Sequence, residues 1–201
     1  MSCSARGSFL FFRARTARPF PVSRSSAMSS PQHIRQSMDT LASHFATHPQ
    51  NALTQDKQAV ATLVSGLRFR VTGPTGESLE TDMPKAIGGN AEAPSPGWFM
   101  RAALASCETT VIAMRAAQLG IALTTLEVVV GSQSDSRGLL GEPASVPAGP
   151  SRIHVAVRIA ADGVPEQDLR DLVQWAEAHS PVGTALRRAI PLDVAVQVGQ
   201  A

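Results

Sequence analysis

Cys107 is one of only two cysteines in the 201-residue sequence, and it lies in the middle of an apolar segment. A thiol in such surroundings behaves first as a small hydrophobic side chain. It becomes a good nucleophile only where a cation or a helix N-terminus lowers the thiol pKa. Cys107 lies too far along its predicted helix to gain from the helix dipole, which fades within the first turn. The residues alone therefore favour a buried structural thiol, with a reactive thiol as the alternative.

Ser180 and the histidines offer weaker signals for chemistry. Ser180 follows His179, but no Gly-x-Ser-x-Gly elbow is present, and its place before Pro181 favours a helix cap over a nucleophile. His44 and His48 have the i, i+4 spacing of a metal pair, yet no Glu of a His-Glu-x-x-His motif and no further ligand accompany them. No phosphate-binding glycine motif occurs either. We therefore expect no metal and no cofactor.

Charged residues recur at every seventh position around Cys107, at Arg101, Glu108 and Arg115. We interpret these three as a polar seam, either solvated or in contact with a second copy of the chain. Arg115 could alternatively face Cys107.

The segment that carries Cys107 has clear helix boundaries. Ser95 is a good N-cap, Pro96 suits the first helical position, and Gly120 provides a left-handed stop. The sequence therefore predicts a helix over Pro96 to Leu119. Apolar residues fall on more than one of its faces, which is typical of a buried helix.

The remaining elements follow from alternation and turn residues. Period-two apolar patterns predict strands, and one of them, Ile153 to Ile159, carries His154 on a sheet face. A helix from Pro165 to about Ala178 and a short helix from Ser180-Pro181 are also predicted. The other predicted strands are Ala59 to Val64, Leu67 to Val71, Ser78 to Met83, Ile121 to Val130 and Pro191 to Val198, with a hairpin loop over residues 134–150. This order indicates an α+β layer fold.

Charge divides the chain into two parts. Residues 1–38 hold six arginines and no acid, leaving 12 of the 18 basic residues against all 16 acidic residues in the remainder. Aromatic residues are only 4% of the chain, so we expect no nucleic-acid surface. No apolar run approaches the ~20 residues that span a bilayer, so we expect no membrane partner.

We place a basic, disordered extension at residues 1–56 and one domain at residues 57–201. Residues 31–58 could alternatively include a short helix. Residues 1–30 have the Arg- and Ser-rich, acid-free composition of a transit peptide, which would mean a mitochondrial or plastid location. The alternative is a non-native extension before Met28 or Met38, with a cytoplasmic protein.

Four segments resemble the OsmC/Ohr family of osmotically inducible and organic-hydroperoxide-resistance proteins. The likeness spans about residues 59–198. It is carried by Ala93-Pro94-Ser95-Pro96-Gly97 leading into Ala102 to Cys107, by Gly120-Ile121-Ala122-Leu123, by Ser134-Asp135-Ser136-Arg137-Gly138, and by His179-Ser180-Pro181-Val182. The resemblance implies antiparallel sheets packed around a long central helix, in an intertwined homodimer.

The resemblance also implies a chemistry, in which two cysteines reduce small organic hydroperoxides with an external thiol or lipoyl reductant. Cys107 occupies the place of the peroxidatic cysteine, and Ser180 stands where the family has its resolving cysteine. Gly97 replaces an acid that usually holds the active-site arginine, for which Arg68 and Arg70 are the alternative candidates.

Two functions remain open from the sequence. One is a single-cysteine thiol peroxidase linked to oxidative stress defence. The other is a non-catalytic dimer that binds a hydrophobic ligand between apolar walls near Cys107. The residues expected to form those walls are Trp98, Phe99, Met100, Val111 and Met114.

Overall fold

The structure is a computed structural model that describes residues 30–199. The predicted transit segment falls almost entirely on residues 1–29, outside the described part. The helices are α1 (Pro31–Thr47), α2 (Pro96–Leu119), α3 (Ser136–Leu140), α4 (Glu166–His179) and α5 (Pro181–Arg187), with 3-10 turns at Pro49–Ala52 and Lys85–Ile87. The strands are β1 (Val60–Ser65), β2 (Arg68–Thr72), β3 (Ser78–Thr81), β4 (Leu123–Ser134) and β5 (Pro150–Ala161).

Helix α2 has the bounds that the sequence predicts. The Ser95 side chain accepts a hydrogen bond from the Trp98 N–H at 3.3 Å, which satisfies one of the free donors of the first turn. At the other end Gly120 has φ 72°, a left-handed conformation that costs glycine little. The local signals for this helix are therefore confirmed at both ends.

The core lies between α2, α4 and the β4–β5 sheet. Ile112 and Ala116 of α2 meet Leu172 and Ala176 of α4, and apolar side chains of β4 and β5 pack against this cluster. Only one face of α2 is buried, however, and Trp98 remains 48% exposed. In one chain the helix is therefore covered on one side, rather than around its whole circumference.

Both sheets are antiparallel, which confirms the α+β class. Strands β1, β2 and β3 form one sheet in that order, and β4 pairs with β5 along nearly its full length. The connection from β4 to β5 contains the short helix α3, where the sequence predicted loop alone. Every residue of β1 is exposed, so its sheet has little cover from the described chain.

The strand predicted at Pro191 to Val198 is wrong for this chain. Residues 191–199 form neither helix nor strand, and Val194 and Val198 are 78% and 93% exposed. Alternation produces a strand only where an open sheet edge supplies hydrogen-bond partners. Among residues 30–199 this segment pairs with no edge.

Helix α1 lies within the segment expected to be a disordered extension or a short helix. It runs for 17 residues and packs against α2, so this part of the extension is helical. The domain boundary at residue 57 stays a prediction.

Candidate functional site around Cys107

Cys107 meets Ser180 although the two residues lie 73 positions apart in the sequence. The Ser180 hydroxyl donates to Cys107 Sγ at 3.2 Å, and its oxygen accepts the Gly183 N–H at 3.1 Å. Ser180 is fully buried and caps α5, while Cys107 is half-buried on α2. The packing of α5 on α2 thus brings the central cysteine and the capping serine together.

Glu108 is the functional candidate that the sequence interpretation missed. Its side chain is 1% exposed, and neither carboxyl oxygen has a hydrogen-bond partner among the described residues. Burial raises the pKa of Glu108, and the negative charge of Glu177 adds to this effect. The Ser180 hydroxyl and the Arg187 guanidinium oppose the shift.

The seven-residue spacing predicted that Glu108 belongs to a polar seam with Arg101 and Arg115, either solvated or at an interface. The structure shows instead that Glu108 is buried within the chain. Arg101 donates to the Ser132 hydroxyl at 3.2 Å, on β4. Arg115 lies over the Trp175 ring, with its guanidinium carbon 4.4 Å from the ring centroid. Glu108 alone of the three is buried against α5. The one signal in the sequence was its position next to Cys107.

Arg68 and Arg70 contact carboxylates of their own part of the chain. Arg68 donates to Glu80 and, at 2.6 Å, to Glu92, while Arg70 donates to Glu80 at 3.0 Å. These hydrogen bonds hold the pKa of Glu80 below its usual range. Neither guanidinium is bonded to Cys107, so the choice between the two arginines stays a prediction.

The histidines belong to other parts of the fold. The rings of His44 and His48 stack at 4.8 Å, and a hydrogen bond joins His44 Nε2 to the Asn51 side chain. The His154 ring lies over Gly131 of β4, on the face of the sheet. His179 stacks on Trp175 and donates from Nδ1 to that residue's carbonyl.

Residues 30–199 contain no group of three or more His, Cys, Asp and Glu side chains able to hold a metal ion. Within the same range, no helix combines the length and hydropathy needed to cross a bilayer.

Gly97, where the resemblance implies an acid, lies beside a cation. A Cβ on Gly97 would be 3.9 Å from Arg101 Nη1, and Gly97 is exposed in the first turn of α2. A carboxylate at this position would therefore reach Arg101. With Gly97 in place, Arg101 contacts Ser132 instead.

The protein has an α+β fold with two antiparallel sheets and a long central helix. The cysteine of that helix contacts the serine that caps a short second helix. The family model for OsmC-like proteins matches residues 88–195, more than half of the chain. The chain belongs to the OsmC-like protein family.

Solved structures show the same fold at low sequence identity. An organic hydroperoxide resistance protein from Legionella pneumophila is 21% identical with a TM-score of 0.51, covering 67% of this chain and 91% of its own. An OsmC-like protein from Mycoplasma pneumoniae is 16% identical with a TM-score of 0.57, and the match covers 68% of this chain and 91% of that protein. An osmotic-stress-induced and detoxification response protein from Psychrobacter arcticus is 19% identical with a TM-score of 0.53, and the match covers 66% of this chain and 90% of that protein. Comparison with curated proteins gives no match.

Proposed function

We propose that this chain reduces small organic hydroperoxides through Cys107 alone, with an external thiol or lipoyl dithiol as reductant. The observation that supports the proposal is the contact of Cys107 Sγ with Ser180 Oγ at 3.2 Å. It brings the cysteine of the central helix against Ser180, for which the resemblance implies the position of the family's second cysteine.

The chemistry balances with one protein thiol. The Cys107 thiolate attacks the outer oxygen of the hydroperoxide, the O–O bond breaks, and the alcohol leaves after taking a proton. The resulting sulfenic acid condenses with an external thiol to give a mixed disulfide and water. A second external thiol then releases Cys107 and leaves as the oxidised disulfide.

Ser180 makes the external thiol necessary in this proposal. A hydroxyl caps α5 as well as or better than a thiol would, so the fold is kept. A hydroxyl cannot condense with a sulfenic acid to form a disulfide, so the second sulfur has to come from outside the chain.

A second copy of the chain belongs to the same proposal. Strand β1 is exposed along its whole length, with Leu63 61% exposed, and α2 keeps an uncovered apolar side. Burying such apolar surface favours association. A homodimer in which Arg68 or Arg70 of one copy stabilises the Cys107 thiolate of the other would supply the cation that is not bonded to Cys107 within one chain.

The experiment follows hydroperoxide consumption by purified protein with cumene hydroperoxide and dihydrolipoamide. We expect Cys107→Ser to reduce the rate to the background of the reductant alone. Cys3→Ser is the matched control, since it removes the only other thiol, and it should keep the wild-type rate. Equal rates for wild type and Cys107→Ser would refute the proposal.

A non-catalytic binding protein is the second candidate, and one observation favours it. Arg68 and Arg70 both bind carboxylates, which leaves Cys107 without a bonded cation in the described chain. Exposed apolar residues at the start of α2, such as Trp98, could then contact a hydrophobic ligand. An inactive wild-type protein that retains an apolar molecule through purification, detected by native mass spectrometry, would support this function.

A further inference from the structure

Ser180 lies near the side chains of two neighbouring residues of α2, Cys107 and Glu108. Its hydroxyl has one hydrogen and two acceptor lone pairs. The hydrogen goes to Cys107 Sγ at 3.2 Å, and one lone pair accepts the Gly183 N–H at 3.1 Å. One acceptor position is therefore left, and only a donor can fill it.

The Glu108 carboxyl group lies near the Ser180 hydroxyl. A Cβ placed on Gly183 would be 2.7 Å from Glu108 Oε1 and 3.0 Å from Ser180 Oγ, so both oxygens border the space that the glycine leaves free. Glu108 is 1% exposed, and neither of its carboxyl oxygens has a hydrogen-bond partner among the described residues. An ionised and unpaired carboxylate in such a place is costly.

The charges that act on Glu108 come from the two helices packed against this part of α2. Glu177 of α4 disfavours a second negative charge, and Arg187 of α5 favours it. Arg187 Nη1 donates to the Glu177 carbonyl at 3.0 Å, and within residues 30–199 neither Glu108 oxygen has a hydrogen-bond partner. Charged residues of α1 and β4, the other elements packed on α2, are not among the groups that shift Glu108.

The single Ser180 hydrogen can serve only one acceptor at a time. A protonated Glu108 can donate to the open lone pair of Ser180, which leaves the Ser180 hydrogen on the sulfur. An ionised Glu108 is the stronger acceptor and takes that hydrogen for itself. Cys107 then loses the hydrogen bond that favours its thiolate.

We propose that Glu108 controls the nucleophilicity of Cys107 through the Ser180 hydroxyl. As a neutral acid it directs the hydroxyl to the sulfur, and as a carboxylate it withdraws the hydroxyl and adds a repelling charge. Glu108 is thus a positioning residue for the thiol, and this inference rests on Cys107 being the reactive group of the proposed function. Burial raises the pKa of Glu108 and so extends the neutral, thiol-activating form toward higher pH.

The test measures the alkylation rate of Cys107 by iodoacetamide between about pH 5 and 10, which spans the ionisation of carboxylic acids and thiols. A Cys3→Ser background leaves Cys107 as the sole thiol. We expect two inflections for the parent protein and one for Glu108→Gln, because the amide carries no titrating charge. Above the Glu108 transition, Glu108→Gln should react about three- to tenfold faster, the worth of one hydrogen bond.

Two further variants keep the result decisive. Glu166→Gln removes a carboxylate of α4 whose side chain is 78% exposed, and it should keep the parent profile. In a Ser180→Ala background, Glu108→Gln should have a clearly smaller effect, because the connecting hydroxyl is gone and only the direct repulsion between the two charges is left. Identical profiles for parent and Glu108→Gln would overturn the proposal, and so would a full Glu108→Gln effect in the Ser180→Ala background.

The alkylation rate is measured without hydroperoxide, so the experiment tests the control of Cys107 by Glu108 separately from the proposed peroxidase activity. A protein that shows the expected pH profiles but consumes no hydroperoxide keeps the control of Cys107 by Glu108 and loses the peroxidase function.

Discussion

At the scale of residues, the contact between Cys107 and Ser180 is the main feature of the site. The Ser180 oxygen already lies 3.2 Å from the Cys107 sulfur, and the backbone that presents it is fixed by the cap of α5. Replacing one hydroxyl by a thiol would therefore put two sulfur atoms close together. What position 180 lacks is a thiol, rather than the right place for one.

This geometry predicts that Ser180→Cys restores a disulfide-forming pair. After one equivalent of hydroperoxide, the variant should lose both of these free thiols as the sulfenic acid condenses with the new thiol. Thiol titration and intact mass under denaturing, non-reducing conditions measure this loss. The weaker cap should lower the free energy of unfolding by about 1 kcal/mol.

Ser136→Cys is the matched control for that experiment, since residue 136 is exposed on α3. Its added thiol should stay free after the same treatment. Two free thiols at positions 107 and 180 after oxidation would contradict the placement of Ser180 against Cys107.

At the scale of elements, the packing of α4 against α2 holds the site together. Ser180 follows α4 directly, so the position of α4 decides where the serine lies relative to Cys107. Leu172 of α4 is 2% exposed and packs in the core cluster that contains Ile112 of α2.

We predict that Leu172→Ala lowers the free energy of unfolding by about 2–5 kcal/mol, since it removes buried methyl groups and leaves a cavity. Urea denaturation followed by circular dichroism measures the change. Leu53→Ala deletes the same atoms from a side chain that is 91% exposed, and it should change stability by less than about 0.5 kcal/mol. Equal effects of the two substitutions would contradict the described core.

At the scale of the whole molecule, a single chain leaves much apolar surface uncovered. The β1–β3 sheet has an exposed face and edge, and the segment over residues 191–199 exposes alternating apolar side chains. Exposed edge strands are usually blocked or paired in stable proteins. Both features are consistent with the homodimer that we propose.

We therefore expect the protein in solution to have twice the 21.1 kDa mass of one chain. Leu63→Asp would place a charge on exposed β1 and should shift the protein toward monomer by at least about tenfold in dissociation constant, because an unpaired charge disfavours burial. Sedimentation velocity across a dilution series measures both states. Leu41→Asp, on the exposed side of α1, is the control at 52% exposure against 61% for Leu63. A monomeric wild-type protein would refute the homodimer.

The sequence by itself determined the elements whose signals are local. Ser95, Pro96 and Gly120 specify both ends of α2 because caps and left-handed stops act within one turn. Ser180-Pro181 likewise predicts the start of α5, and alternation predicts β1, β2 and β3 to within about two residues. The resemblance at Cys107 and Ser180 pointed to the family, which the comparison then confirmed.

Only the tertiary structure decided which side chains meet. Cys107 and Ser180 are 73 residues apart, and no local pattern reports the distance of 3.2 Å between their side chains. Spacing suggested a polar seam for Glu108, yet the packing of α5, with Gly183 leaving room, buries it. Alternation over residues 191–198 gave no strand, because a strand also needs hydrogen-bond partners and this segment pairs with neither sheet within residues 30–199. Burial and pairing depend on what lies opposite a residue, and that is set by how distant segments pack.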